Sequence, residues 1–212
     1  MKKNIAFLFD KKNFWIKDYL NFFNFKKYSK KYSIKCFKNE KNVKNFDVVF
    51  VISYTKILST KFIKKNRLSL IPHPSELPKD KGFAPIHNAV LKKKKKFFIS
   101  LIKAEKEVDS GDICIQLSYK LNGDELMDDL RFLQAKAIFQ VIGKFLDTYP
   151  KIRFRKQKGR SNFNKRRNPS DSQINIKKSI LSQFNLLRVC DNKRYPAFFI
   201  HKGVKYFLKI EK

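Results

Sequence analysis

The chain has 212 residues, 49 of them Lys or Arg against 18 Asp or Glu, for a formal net charge of +31. An apolar share of 42% with 15% aromatics excludes a disordered basic tail, which lacks the surface needed to offset chain entropy. The longest charge-free run, residues 82–91, is far below the roughly 18 apolar residues of a spanning helix, and residues 5–9 are too short an apolar run for a signal peptide. A cytoplasmic, globular, non-membrane protein is expected.

In chain order, residues 5–9 read as a buried strand and 13–25 as an aromatic-rich helix. Residues 33–37 read as a short second strand. Residues 47–54 are a β-branched and aromatic run, the pattern of a central parallel strand buried on both faces. A strand at 68–72 is ended by Pro72 and Pro74. A helix over 84–91 carries Pro85 in its first turn, where the missing N–H costs little. Strands at 97–103 and 112–119 flank a turn at residues 109–112. The helix over 124–147 shows one apolar stripe, Leu126, Leu130, Leu133, Ala137, Val141 and Phe145, with Asn122 or Asp124 as its cap. Strands alternating with helices predict an α/β fold with a parallel-rich sheet.

Beyond Pro150 the character changes. Residues 151–170 hold nine basic and no acidic residues, without periodicity, and read as a linker or loop. A helix from Ser172 or Asn175 to Val189 and a hairpin over 197–210 follow. The expected division is a catalytic domain at 1–150 and a basic linker with a small subdomain at 151–212. The positive excess fits either a polyanion partner or an AT-rich coding bias, since lysines outnumber arginines forty to nine and Arg is the usual reader of nucleic acid. Cys36, Cys114 and Cys190 are far apart with no paired spacing, so buried free thiols are expected and no metal site. The histidines are His73, His87 and His201; His87 reads as a surface helical residue and His201 as structural.

Two segments carry chemistry. In Pro72-His-Pro-Ser-Glu-Leu-Pro-Lys-Asp-Lys-Gly-Phe-Ala-Pro85 a strand delivers His73 to its C-terminal end, where open α/β sheets place their ligands. A histidine there can serve as general acid or base or stabilise an oxyanion; it can also simply pack in a rigid loop. In Glu107-Val-Asp-Ser-Gly-Asp-Ile113, Asp109 lies in a tight turn of a kind that favours Asp and Gly for backbone reasons alone. A carboxylate beside a histidine would orient it.

Together these segments resemble the 10-formyltetrahydrofolate-dependent formyltransferase family, whose pattern runs Asn-x-His-x-Ser-x-Leu-Pro-x-x-x-Gly and later Asp-x-Gly-Asp-Ile. His73, Ser75, Leu77, Pro78 and Gly82 are in register, and so are Asp109, Gly111, Asp112 and Ile113. The resemblance covers roughly residues 47–212 and includes the Arg166-Arg167-Asn-Pro element. It implies a Rossmann-like core with a small C-terminal helix–hairpin subdomain. It also implies attack of a primary amine on the formyl carbon of 10-formyltetrahydrofolate. His73 would stabilise the tetrahedral intermediate, and Asp109 would orient that ring and relay the amine proton through water. Tyr54, Leu77, Pro78, Gly82, Val108 and Gly111 would line the folate site. Where the family carries its catalytic Asn this chain has Ile71; either Asn88 or another donor compensates, or the register differs locally, or the enzyme is slow or inactive.

The details resemble the sugar N-formyltransferase branch, which formylates nucleotide-linked amino-deoxysugars for surface glycans. A UDP or dTDP diphosphate would meet Lys79, Arg166, Arg167 or Arg194. The 62 residues after position 150 are too few for the helix and full β-barrel of methionyl-tRNA formyltransferases, the second reading. A catalytically impaired shell that uses residues 151–170 on RNA is the third. Folate and nucleotide sugar are the expected partners, nucleic acid is not, and a homodimer is among the expected assemblies.

Overall fold

The computed structural model describes residues 1–11 and 15–212. The core is a six-stranded sheet in the order β2-β1-β3-β4-β6-β7. Its strands are β1 (Lys3–Phe9), β2 (Tyr32–Phe37), β3 (Val48–Ile52), β4 (Ser69–His73), β6 (Lys96–Lys103) and β7 (Ile113–Lys120). The first four are parallel, and β6 runs antiparallel to both β4 and β7. Period-two alternation splits each central strand between two cores. Ile5, Phe7 and Phe9 of β1 and Val48, Phe50 and Ile52 of β3 enter the larger cluster, while Ala6, Leu8, Val49 and Val51 enter the smaller one behind.

The larger core is closed by α4 (Met127–Thr148). Its Phe145 meets Phe50 edge-on at 5.4 Å, and Phe50 meets Phe7 in the same way at 5.7 Å. Edge strand β2 is tied to the same helix by Tyr32, whose hydroxyl donates to the Leu146 carbonyl at 2.7 Å. Further elements are α1 (Phe25–Tyr28), α2 (Thr60–Lys64), α3 (Pro85–Leu91) and α5 (Ile180–Arg188). Two short pieces, β5 (Lys81–Gly82) and β8 (Phe163–Asn164), pair in parallel, and β9 (Ala197–His201) with β10 (Val204–Leu208) forms a hairpin.

Several expectations change. The helix expected over 13–25 begins on residues outside those described, and Trp15–Phe22 is 3₁₀ rather than α. Helix α4 starts at Met127, later than Asn122 or Asp124 would place it. The Glu125 carboxylate instead accepts from the N–H groups of Asn122 at 2.5 Å and Gly123 at 3.0 Å and closes a turn. Helix α5 starts at Ile180, because the Ile174 N–H is committed to the Phe198 carbonyl at 2.7 Å and Ser179 caps the later start. Cys36 is exposed, whereas Cys190 is buried; all three thiols are free.

The terminal unit has its own small core of Ile174, Leu187, Cys190 and Ala197. Two ion pairs bolt it to the sheet-bearing part. Arg188 meets Glu125 at 2.7 Å, with both side chains about 5% exposed, and Arg131 meets Asp191. No helix among the described residues is long and apolar enough to cross a membrane.

Candidate active site

His73 is the last residue of β4, so the strand carries it to the sheet's C-terminal edge with 6% of its surface exposed. Its Nδ1 lies 3.3 Å from Asp109 Oδ1, which joins the two segments singled out in the sequence. Asp109 Oδ2 accepts from the Gly82 N–H at 2.8 Å, so one carboxylate bridges the ring and the loop that follows β4. His73 Nε2 lies 3.1 Å from the Asp80 carbonyl oxygen. An oxygen thus faces each ring nitrogen, the carboxylate at Nδ1 and the carbonyl at Nε2.

The glycines have steric reasons. A Cβ on Gly111 would stand 1.7 Å from the Lys103 carbonyl oxygen at the end of β6. Gly82, at φ +84°, would push a Cβ to 2.7 Å from the Asn164 carbonyl oxygen. Both allow close approach of backbone around Asp109, itself left-handed at φ +51°.

Residues 151–164 form a strap across these loops. The Ile113 N–H donates to the Arg155 carbonyl at 2.8 Å and the Arg155 N–H returns to Ile113 at 2.9 Å. Gln157 Nε2 donates to the carbonyls of Asp109 and Gly111, each at 2.8 Å, and β8 pairs with β5. The Arg155 guanidinium donates to Gln116 Oε1 at 2.9 Å, and Gln116 Nε2 donates to Ser100 Oγ at 2.8 Å and Leu77 O at 3.3 Å. Asp80, Gln157, Asn162 and Asn164 were missed in the sequence. An acid between two lysines in the loop was the one available sign, since amides in an aperiodic basic stretch leave none.

Leu77 is buried and Pro78 half-buried in the loop that follows β4, and Val108 and Gly111 flank Asp109 in the chain. Tyr54 lies beyond the end of β3. Its hydroxyl donates to Glu40 Oε2 at 3.2 Å, and burial, then the Glu40 charge, push its pKa up to about 12. It lines a cavity of about 250 Å³ with Asp10, Lys11, Lys38, Lys41 and Lys56. The order β2-β1-β3 reverses direction there, at the C-terminal ends of β1 and β3, the crevice open α/β sheets use for ligands.

The Ile71 side chain packs against Leu77, Ile102 and Ile113. The Asn88 amide donates to the carbonyls of Ala84 at 3.0 Å and Phe83 at 3.4 Å, so it serves the first turn of its own helix. Lys79 is exposed and paired with Glu76 at 3.7 Å. Arg166 is brought to the loop, its guanidinium 5.8 Å from the Phe83 ring centre. The Arg167 guanidinium donates to the Asp171 carbonyl at 2.9 Å, and the Arg194 backbone N–H donates to Asp191 Oδ1 at 3.1 Å in the turn there. His87, expected on the surface, is half-buried with Nδ1 sealed from solvent. Burial, then the charges of Arg167 and Arg131, lower its pKa to about 4.

A formyl transferase family pattern matches residues 9–142, beginning well upstream of the resemblance seen from position 47. The methionyl-tRNA formyltransferase of Pseudothermotoga lettingae is 28% identical over 169 residues, which are 76% of this chain and 54% of that protein. The Mycoplasmopsis pulmonis counterpart is 38% identical over 122 residues, 53% of this chain and 42% of that protein. This chain thus spans about half the length of the curated relatives it matches. A methionyl-tRNA formyltransferase from Clostridium thermocellum superposes with a TM-score of 0.80 at 21% identity, covering 98% of this chain and 92% of that one. A 4-N formyltransferase from Francisella tularensis gives 0.74 at 20%, covering 99% and 97%. HypX from Aquifex aeolicus, solved in complex with tetrahydrofolic acid, gives 0.74 at 13%, covering 97% and 37%.

Proposed function

This chain belongs to the formyl transferase family, and from that premise we propose that it moves the formyl group of 10-formyltetrahydrofolate to the primary amine of a nucleotide-linked amino-deoxysugar. The buried His73–Asp109 pair at the sheet's C-terminal edge carries this reading. In the transfer a bond forms between the amine nitrogen and the formyl carbon, the bond from that carbon to N10 of the folate breaks, and the amine's proton ends on N10. His73 donates from Nε2 to the formyl oxygen as it takes up charge, sharing the hydrogen that faces the Asp80 carbonyl at rest. Asp109 holds the other ring nitrogen and accepts the amine proton through water. One preorganised donor to such an oxygen is worth about 3–4 kcal/mol.

The site offers features that suit the donor. Asn164 Nδ2 and Gln157 Oε1 are buried without partners, on residues that touch Gly82 and Asp109. Orphaned polar atoms of this kind are what a polar ligand completes. Tyr54 and its lysine-lined cavity suit an anionic extension such as the folate carboxylates or a diphosphate.

The Leu-Pro-Lys-x-Lys-Gly-Phe-Ala-Pro segment at 77–85, similar to the sugar branch, is what favours an amino sugar as acceptor. The curated methionyl-tRNA relatives favour the second reading, formylation of a charged initiator tRNA. The deciding experiment incubates the protein and 10-formyltetrahydrofolate with a panel of UDP- and dTDP-amino sugars and with charged initiator tRNA, and follows the mass gain of one formyl group. Gain on a sugar and none on tRNA is expected; gain on tRNA alone selects the second reading.

A further inference from the structure

The loop after β4 holds a buried acid that formyl transfer leaves unused. Asp80 is 4% exposed although its neighbours are lysines. Its Oδ1 lies 2.5 Å from Lys92 Nζ and its Oδ2 lies 2.7 Å from Lys94 Nζ. Asn162 of the strap donates from Nδ2 to Oδ1 at 3.2 Å, and the Asp80 N–H donates to Asn162 Oδ1 at 3.0 Å. Burial alone would raise this carboxyl's pKa, but hydrogen bonds from Lys92, Lys94 and Asn162 outweigh it and hold the group well below the usual carboxylate range. The backbone at Asp80 is left-handed, φ +57°, a conformation that persists in a non-glycine residue only where the surroundings over-determine it.

We propose that Asp80 is a positioning residue for His73, with Lys92, Lys94 and Asn162 as the clamp that fixes its peptide. The carbonyl of that peptide faces His73 Nε2 at 3.1 Å, opposite the Asp109 contact at Nδ1. An imidazole bonded at one edge can still rotate about its Cβ–Cγ bond; one bonded at both edges is held in its plane before substrate arrives. The two ammonium groups also neutralise the Asp80 carboxylate, so it does not rival Asp109 for the ring. Lys92 and Lys94, two of the five consecutive lysines at 92–96, thereby gain a specific task. The inference rests on the formyl-transfer reading for its kinetic arm only.

The test compares the full-length protein with Asp80→Ala, Asp80→Asn and the double variant Lys92→Met/Lys94→Met, which alters half-exposed side chains and spares the loop. Formyl transfer gives kcat and KM, and ¹⁵N NMR of the imidazoles reports ring geometry, with His87 and His201 as internal controls among the three histidines. We expect kcat to fall about tenfold to a hundredfold in Asp80→Ala and the lysine double variant, with KM within about twofold. Asp80→Asn, which keeps a partner for Asn162, should recover part of the loss. The His73 resonances should move while those of the controls stay. Unmoved His73 resonances in the lysine variant overturn the proposal, as does a kcat that is unchanged or higher. If the wild-type protein shows no formyl transfer, the resonances alone decide: a shift upholds the positioning role and fails the reaction, and no shift fails both.

Discussion

His73 and Asp109 lie 36 positions apart in the chain and 3.3 Å apart in the structure, and both are shielded from bulk water. Coulombic and hydrogen-bonding effects are stronger there than at a surface. Replacing His73 with Ala should lower kcat by about two to three orders of magnitude, the worth of one oxyanion donor, with little change in KM. Asp109→Asn should lose a comparable factor, because an amide cannot take the amine proton. Steady-state kinetics of formyl transfer to whichever acceptor gains mass checks both. His87 makes a different statement, about stability. Unfolded, it takes up its proton near its ordinary value of 6.5; folded, it stays neutral until about 4. Between those limits the unfolded chain binds more protons, so stability falls as pH drops through the window and the loss approaches roughly 3 kcal/mol. Denaturant titrations from pH 7 to pH 4 should show that slope in the wild type and a flatter one in His87→Asn.

At the scale of elements, the junction between α4 and α5 rests on Glu125 and Arg188, a buried pair. Glu125 also collects two backbone N–H groups, and these contacts together with the Arg188 charge lower its pKa against the opposing effect of burial. Arg188→Met alone should cost about 3–5 kcal/mol by leaving a buried charge unmatched, and adding Glu125→Leu should recover much of it. Chemical denaturation of the single and double variants measures this. The same pair explains why the start of α4 was misjudged. Asn122 and Asp124 look like caps locally, but a carboxylate anchored 63 residues away shapes the turn. By contrast β1, β3, β4, β6 and β7 were legible, since runs such as residues 48–52 are apolar on both faces and only a central strand buries both. The His73 and Asp109 segments were singled out by their resemblance to the family's motifs, whose glycines and prolines stand in register here. The strap was not, because its amides bond to loop carbonyls brought near only by the fold.

For the whole molecule, a net charge of +31 works against compaction, and ion pairs at the surface, such as Lys27 with Asp147 at 2.9 Å, offset little of it. Self-repulsion should dominate. Raising NaCl from about 20 mM to about 300 mM should increase the melting temperature, and scanning calorimetry tests this. The strap has a consequence for how the protein is made. Translation delivers His73 and Asp109 to the growing polypeptide before the residues that lock them, since Arg155, Gln157, Asn162 and Asn164 emerge later. A nascent chain paused at the end of α4 would own its sheet and both halves of the pair, yet their loops would lack the fastening. The fastening of the pair thus waits on residues made after both of its members, fixed by the order of synthesis as much as by the sequence of any one loop.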